Sequence, residues 1–204
     1  MKRCYPYRRL AALALLALLP LAHATTVIAP SFDGLVDSSD YIVRATVKSI
    51  TSEWRDNPDK PGTRYIGSKI TLEVHEVIKG NPPSPLVLDL VGGRVGDETL
   101  TVDGAPEFIT GQENILFVKG NGRRVVPLVG MMHGRYMIRR DKRTGLDEVV
   151  RNNGQPLYSE QDVSLPPAAV SSASAAPKAR ALTAADFAQS IRKAAKFRDR
   201  ESHK

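Results

Sequence analysis

The stretch Arg64–Gly80 constrains the fold most, and its sequence is RYIGSKITLEVHEVIKG. Apolar and polar residues alternate over Ile70–His75, with the period of two that is typical of a half-buried strand. The alternation breaks where Val77 and Ile78 stand side by side, so the pattern predicts one extra residue near Glu76. A β-bulge at this point bends and coils the strand. Long, bent strands of this kind serve both halves of a small closed barrel.

The rest of the chain consists of short apolar segments separated by turn signals, after one short amphipathic segment. A short amphipathic turn or helix is predicted at Ser31–Asp40, and the further predicted strands are Tyr41–Ile50, Leu86–Val91, Ile115–Val118, Val125–Val129, Tyr136–Arg139 and Glu148–Val150. Many short strands with a single early helix favour an all-β class, either a barrel or a sandwich, with a short N-terminal helix.

Two connecting segments differ from ordinary turns. Glu53–Gly62 is charged and contains two prolines, which predicts a loop with the only tryptophan, Trp54, at its root. A tryptophan in this place serves either as a cap over the barrel end or as a ligand platform.

Gly92–Gly96 contains three glycines, but their spacing matches neither the dinucleotide-binding motif nor the P-loop. This segment therefore predicts a hairpin or a sharp corner.

The N-terminal residues 1–24 have the pattern of a secretory signal peptide. A basic head precedes the Leu- and Ala-rich run Leu10–Leu19, and an A-x-A site follows at Ala22–Ala24. The apolar run is about half the length that a membrane span requires. The pattern predicts an exported protein, periplasmic or extracellular, without a transmembrane span after cleavage.

The mature chain that this cleavage leaves contains no cysteine, because Cys4 is the only one. The hydrophobic core must therefore hold the fold without disulfides. Mature Lys and Arg residues number 25 against 22 Asp and Glu, and Lys178–Lys204 alone carries eight basic and three acidic residues. The remaining body is slightly acidic, which argues against nucleic acid as a partner, since binding it requires many neutralised phosphates on one face.

Composition changes after the β-rich domain, which we place at residues 25–160. Residues 161–181 are rich in Ala, Ser and Pro and predict a linker, followed by a basic amphipathic helix at 182–199 and a tail at 200–204. Thr183 is the predicted N-cap, with Asp186 three residues later. The helix has a narrow apolar stripe, which leaves three interpretations: it lies on anionic lipid, docks on the domain's own surface, or forms a solvated tail.

The sequence contains none of the motifs that carry catalysis or bind metal. We find no G-x-S-x-G, no H-E-x-x-H, no mature cysteine nucleophile and no clustered metal ligands. His75 can share a strand face with Glu73 but not with Glu76, since adjacent residues point to opposite faces. We therefore expect no catalytic residues, no metal site and no cofactor, and hence a protein that is not an enzyme.

Three segments resemble the netrin-like module, the OB-fold domain of the tissue inhibitors of metalloproteinases. They are Ser39–Val47, the strand end Val77–Gly80 and Gly111–Phe117, and the resemblance covers roughly Thr25–Arg139. It implies a five- to seven-stranded OB-like barrel with a short N-terminal helix. The chain also resembles a group of uncharacterised bacterial exported proteins. The motifs that carry this second resemblance are G-G-R-V-G at Gly92–Gly96 and a G-x-P-x-F-x-x-G-E pattern at Gly104–Glu113, with Gln112 inserted.

The first resemblance implies a binding site for a protease. In that family the amine and carbonyl of the first residue chelate the protease zinc, and the second residue enters the specificity pocket. Thr25 and Thr26 occupy these two places here, although the family's first residue is a cysteine held by a disulfide. The predicted partner-binding residues are Thr25, Thr26, Trp54, Gly92, Gly93 and Arg94.

Three functions from different classes follow as expectations. The first is an exported, non-catalytic OB-fold binding protein that binds or inhibits a secreted metalloprotease. The second is a structural module associated with the envelope or a polysaccharide, whose basic C-terminal tail touches the cell surface. The third is a hydrolase without a known motif, which requires a pocket with convergent polar groups.

Overall fold

The computed structural model describes residues 29–166 and 180–201. Its helices are α1 (Phe32–Ser38) and α2 (Ala184–Glu201), and its 3₁₀ helices are Met131–Gly134 and Glu160–Ser164. Its strands are β1 (Tyr41–Asp56), β2 (Arg64–Lys79), β3 (Leu86–Val91), β4 (Gly93–Val95), β5 (Glu98–Leu100), β6 (Glu113–Val118), β7 (Arg135–Arg140) and β8 (Asp147–Val150). Six strands form one antiparallel sheet in the order β3-β2-β1-β6-β7-β8, and β4 and β5 form a separate hairpin. The predicted all-β class with a helix near each end is confirmed.

The pairing of β1 with β2 is interrupted where the sequence pattern changes phase. In the register of β2 against β1, His75 and Ile78 have no paired residue on β1. The predicted irregularity near Glu76 is therefore confirmed. Apolar side chains change face across it, because Leu72 and Ile78 are buried in different core clusters. The irregularities allow one strand to contribute to both sides of the sheet.

The two core clusters lie on opposite faces of the sheet. The helix-side core joins α1 and α2 to one face and includes Phe32, Leu35, Ile42, Ile78, Ile115, Phe117, Tyr136, Val149, Phe187 and Ile191. The strand-side core is surrounded by the curled β1, β2, β3 and β6 and includes Val43, Val47, Ile70, Leu72, Leu86, Leu88, Phe108, Leu116 and Leu128. The start of β1 is an apolar run because both of its faces are buried.

The segment between β6 and β7 spans the open side of the curled sheet. On one side this segment lies beside β6, and Lys119 N donates to the Pro127 carbonyl at 3.1 Å. On the other side, Val91 N of β3 donates to the Val125 carbonyl at 2.9 Å, and Asn121 Nδ2 donates to the Val87 carbonyl at 2.7 Å. Isolated hydrogen bonds therefore link β6 to β3 through this segment, which forms no strand ladder with either of them.

The strand predicted at Val125–Val129 is wrong. Within it, the structure contains only an isolated bridge between Leu128 and Val118. Pro127 has no N–H to donate, which interrupts a ladder in the middle of the segment. Val126 and Leu128 are nevertheless buried in the strand-side core, and this burial explains the apolar sequence.

Helix α2 docks on the domain's own surface, one of the three interpretations of its sequence. Phe187, Ala188 and Ile191 are at most 1% exposed. Its start has the predicted capping pair, with Asp186 N donating to Thr183 Oγ1 at 3.1 Å and Thr183 N donating to Asp186 Oδ2 at 3.4 Å. In the described part of the chain, neither helix is both long enough and apolar enough to cross a bilayer.

Several predicted segments fall partly or wholly outside the described residues. The predicted signal peptide, residues 1–24, lies outside them, as do residues 202–204 of the predicted tail. Of the predicted linker, residues 167–179 also lie outside. Residues 161–164 of that linker belong to the 3₁₀ helix Glu160–Ser164, whose Val163 packs into the helix-side core.

Candidate functional site

The hairpin formed by β1 and β2 is longer than the sequence predicts. The predicted loop Glu53–Gly62 is wrong for its first four residues, because β1 runs through Asp56 and pairs with β2 down to Arg64. The charged residues are tolerated in a strand since they have cross-strand partners. Glu53 lies 3.1 Å from Lys69 Nζ, and Arg55 donates to a carboxylate on the neighbouring β3.

Trp54 lies on this hairpin outside both core clusters. It is half-buried, it stands opposite Ile66, and the Arg64 guanidinium lies 5.7 Å from its ring centroid. A guanidinium at this distance is attracted by the face of the indole. The structure therefore places Trp54 at the surface with a cationic partner, opposite the buried Ile66.

The glycine-rich corner packs against the same face of the hairpin. Gly92 N donates to the carbonyl of Ile66, the residue opposite Trp54, at 2.8 Å. Gly93 has φ +135°, and a Cβ atom there would lie 2.5 Å from Ser52 Oγ and would also overlap Ser68 Oγ. Only glycine fits this close approach. The segment then forms the β4–β5 hairpin, so the predicted hairpin or corner is confirmed.

Arg94 and the two threonines complete the set of predicted partner-binding residues. Arg94 follows Gly93, so its side chain points away from the β1–β2 hairpin; it is exposed and donates from Nε to the Gly96 carbonyl at 3.0 Å. Thr25 and Thr26 lie outside the described residues. We call Trp54, Arg64, Gly92, Gly93 and Arg94 the hairpin surface.

Sequence reasoning missed Arg64 as a member of this surface. The information that identifies it is the register of β1 against β2, which puts positions 54 and 66 opposite each other. Arg64 and Ile66 are two residues apart on one strand and therefore share a face. A single sequence does not give this register, because it depends on the length of the connecting turn.

A second cluster of polar side chains surrounds a small cavity of about 20 Å³. It is lined by His133, Arg135, Tyr136, Arg151 and Asn152, together with Met132, Asn153 and Val163. We call it the basic cavity. It lies where the 3₁₀ helix Met131–Gly134 meets β7 and the residues that follow β8. Pockets that bind small molecules are roughly 15 or more times larger, so this volume suits a water molecule or a single small ion.

Burial sets the protonation of the groups around the basic cavity. It lowers the pKa of His133, with a smaller contribution from the positive charge of Arg151. It also lowers the pKa of Arg135 and of Arg151, because it outweighs the attraction of nearby carboxylates. Burial raises the pKa of Tyr136, which keeps its hydroxyl proton. At neutral pH the cavity is therefore lined by a neutral imidazole, a phenol and two guanidinium groups.

The lowered pKa of His133 predicts a loss of stability in mild acid. Unfolded His133 takes up a proton near pH 6.5, whereas the folded state resists it. Its contribution to the free energy of unfolding is therefore complete above about pH 6.5 and is lost as the pH falls toward the lower folded-state pKa. Between pH 6.5 and 5, we expect the variant His133→Asn to reduce proton uptake on unfolding by up to about one proton.

Denaturant unfolding at several pH values measures this uptake. The matched control is His75→Asn, because His75 is exposed and its ring hydrogen-bonds to the Thr46 hydroxyl at the surface. Equal pH slopes for His133→Asn and the unaltered protein would show that the burial of His133 does not control its protonation.

The described residues contain no group of three His, Cys, Asp or Glu side chains placed to hold one metal ion. No protein-family model matches the chain, and no curated protein matches it in sequence. The resemblance to the netrin-like module therefore stays a prediction that rests on its motifs. One of these motifs has a clear structural role, since Lys79 Nζ donates to the carbonyls of Val36 and Ser39 at the end of α1, at 2.6 and 2.9 Å.

Proposed function

We propose that the chain is an exported, non-catalytic binding protein with an OB-like barrel, and that the hairpin surface contacts its partner. The observation that carries this proposal is the position of Trp54, half-buried under Arg64 and next to the glycine corner. Tryptophan and arginine are among the residues most enriched at the energetic centres of protein interfaces. A long two-stranded hairpin braced by a second hairpin also presents them on a rigid element.

A secreted metalloprotease is the proposed partner. This choice rests on the resemblance to the netrin-like module and on the place of Thr25 and Thr26 at the predicted mature N-terminus. The proposed absence of catalysis rests on the sequence, which contains none of the catalytic motifs named above.

Replacing Trp54 by alanine tests the hairpin surface. We expect the exported protein to bind at least one secreted metalloprotease, and Trp54→Ala to weaken the complex about 10- to 30-fold, the effect of losing an interface centre. Titration of the protease with both proteins gives Kd and residual activity. The matched control is Val77→Ala, which removes a 47% exposed apolar side chain toward the opposite end of β2.

Two results would contradict parts of the proposal separately. If no protease changes activity, and acetylation of the Thr25 amine also has no effect, the inhibitor function is wrong. If a complex forms with the same Kd for Trp54→Ala, the protein binds a protease through another surface. Equal weakening by Val77→Ala would show that the loss is not specific to the hairpin surface.

A second candidate function, association with the cell envelope, is favoured by one observation on α2. Phe197 is 64% exposed beside the exposed Lys193 and Lys196, whereas the apolar stripe of the helix is buried in the domain. These three residues line a groove of about 630 Å³ that α2 forms with α1. An aromatic ring next to lysines suits the boundary of an anionic membrane surface.

Substitution tests this second function better than removal of the helix, because α2 supplies Phe187 and Ile191 to the core. If the envelope is the partner, the double variant Lys193→Glu/Lys196→Glu should reduce the fraction of protein that sediments with envelopes. Unchanged sedimentation of this variant would rule out the second function. Circular dichroism checks that the variant keeps its fold.

A further inference from the structure

The second half of strand β1 is paired on one side only. β1 pairs with β2 to its end, whereas its pairing with β6 covers only Tyr41–Thr46. Next to that pairing, Val47 exchanges hydrogen bonds with a turn, donating to the Gln112 carbonyl at 3.0 Å and accepting from Gly111 N at 2.8 Å. Among the described residues, Ser49–Asp56 is therefore an edge of the sheet. A long edge of this kind offers its backbone groups to another strand.

The hydrogen bonds of the β1–β2 hairpin show which backbone groups lie on this edge. Asn57 N donates to the Thr63 carbonyl at 2.9 Å, so the amide at position 57 points toward β2. Backbone direction alternates along a strand, and the register of β1 against β2 has no shift between positions 49 and 56. The bond from Gly92 N to the Ile66 carbonyl, on the far side of β2, agrees with this alternation. The residues whose N–H and C=O groups point outward are therefore Ile50, Ser52, Trp54 and Asp56.

The sequence of this edge is self-complementary in one antiparallel register. When the strand pairs with a second copy about a two-fold axis at Trp54, Glu53 stands opposite Arg55 of the second copy, and symmetry repeats the pair. An axis at Glu53 or at Arg55 instead places two identical charges opposite each other, which is unfavourable. An axis at Ser52 leaves both charges opposite neutral residues. The charges therefore select the register centred on Trp54.

We propose that a second copy of this chain pairs with the Ser52–Asp56 edge, so that two β1 strands form one antiparallel ladder centred on Trp54. The outward residues of the two strands then exchange roughly six backbone hydrogen bonds. Opposed side chains share a face, so the two Trp54 rings, each beside its own Arg64, lie on one face of the joined sheet. The pairs of Glu53 with Arg55 lie on the other face. Dimerisation of this kind does not depend on the proposed binding of a protease.

The side chains at this edge are accessible to a second copy. The Glu53 and Asp56 side chains are 48% and 96% exposed. Glu53 and Arg55 already have ion-pair partners within the chain, so the new pairs set the register and add little affinity. The backbone bonds and the two indole rings supply the affinity. A ladder this short predicts a dissociation constant of roughly 10–100 μM.

Sedimentation of the exported protein between about 1 and 500 μM tests dimerisation. We expect a monomer at the lowest concentration and a dimer at the highest. Asp56→Pro removes one outward N–H from each copy and keeps the bonds to β2, so it should weaken the dimer at least about tenfold. The matched control Asp56→Ala loses the same carboxylate but keeps the N–H, and it should weaken the dimer less than about threefold. Circular dichroism checks that both variants keep the fold.

Single cysteines test the register, because the predicted mature chain contains none. Oxidation should cross-link two copies of Trp54→Cys, since opposed Cα atoms in such a pair lie about 5.5 Å apart, within the range of a disulfide. Ser52→Cys should stay monomeric on a denaturing gel, because its two copies lie about 13 Å apart along the ladder. A monomer at every concentration would overturn the proposal, as would equal dimerisation of Asp56→Pro and the unaltered protein. Cross-linking of Ser52→Cys without that of Trp54→Cys would overturn it as well.

Discussion

Replacement of Phe187 by alanine should lower the free energy of unfolding by about 3–5 kcal/mol, the cost of removing a fully buried phenylalanine. The ring is 0% exposed. Its centroid lies 5.1 Å from Tyr136, 5.8 Å from Phe32 and 6.1 Å from Phe117. It is the side chain by which α2 contacts α1, β6 and β7 together, so its loss leaves a cavity between the helices and the sheet.

Urea unfolding followed by Trp54 fluorescence measures this change, because the chain has a single tryptophan. The matched control is Phe197→Ala on the same helix, where the ring is 64% exposed and the expected change is within about 0.5 kcal/mol. If Phe187→Ala lowers the free energy of unfolding as little as Phe197→Ala does, α2 is not part of the cooperative core. In that case the helix would behave as the solvated tail that the sequence also allowed.

The sequence predicts the sheet well where a local pattern is decisive. The period of two in β2, its interruption near Glu76 and the N-terminal cap of α2 each depend on residues a few positions apart. These features are confirmed because burial and capping act on neighbours in the chain. The predicted strand Leu86–Val91 matches β3 to the residue, since prolines precede it and glycines follow it.

Sequence reasoning fails where distant partners decide the outcome. Glu53–Asp56 looks like a loop, yet it pairs with Arg64–Gly67 of β2, and Glu53 and Arg55 have ion-pair partners in Lys69 and Asp89. Val125–Val129 looks like a strand, yet its backbone bonds to β3 and β6 only at isolated points. Neither set of partners is visible without the register of the sheet.

The basic cavity shows even more clearly that a single sequence does not reveal partners that are distant in the chain. Its principal residues come from two segments, residues 131–136 and 151–153. Charged residues in these positions are typical of solvated turns and strand ends. Their burial results from the packing of the Glu160–Ser164 helix and of the residues around Arg151, which no local pattern indicates.

Gly80 closes the V-I-K-G end of β2, and replacing it by alanine should cost about 2–4 kcal/mol of unfolding free energy. The residue has φ +74°, and a Cβ atom there would overlap the Asp40 carbonyl oxygen and lie 3.0 Å from Tyr41 Cα. Both obstacles belong to the backbone, which moves only if β1 and β2 separate where α1 ends. Lys79 binds the end of α1 from the adjacent position, so this separation also weakens its two hydrogen bonds.

Gly62→Ala separates the two causes of this cost. Gly62 has a similar φ of +81°, but no atom lies within 4 Å of a Cβ built on it, so only the backbone strain of about 1 kcal/mol applies. Thermal or urea unfolding of both variants therefore isolates the contribution of the Asp40 contact as the difference between them. If the two variants lose equal stability, β1 and β2 adjust freely at this junction. The glycine would then be required for its φ alone, and the junction would not fix the start of β1 against the end of β2.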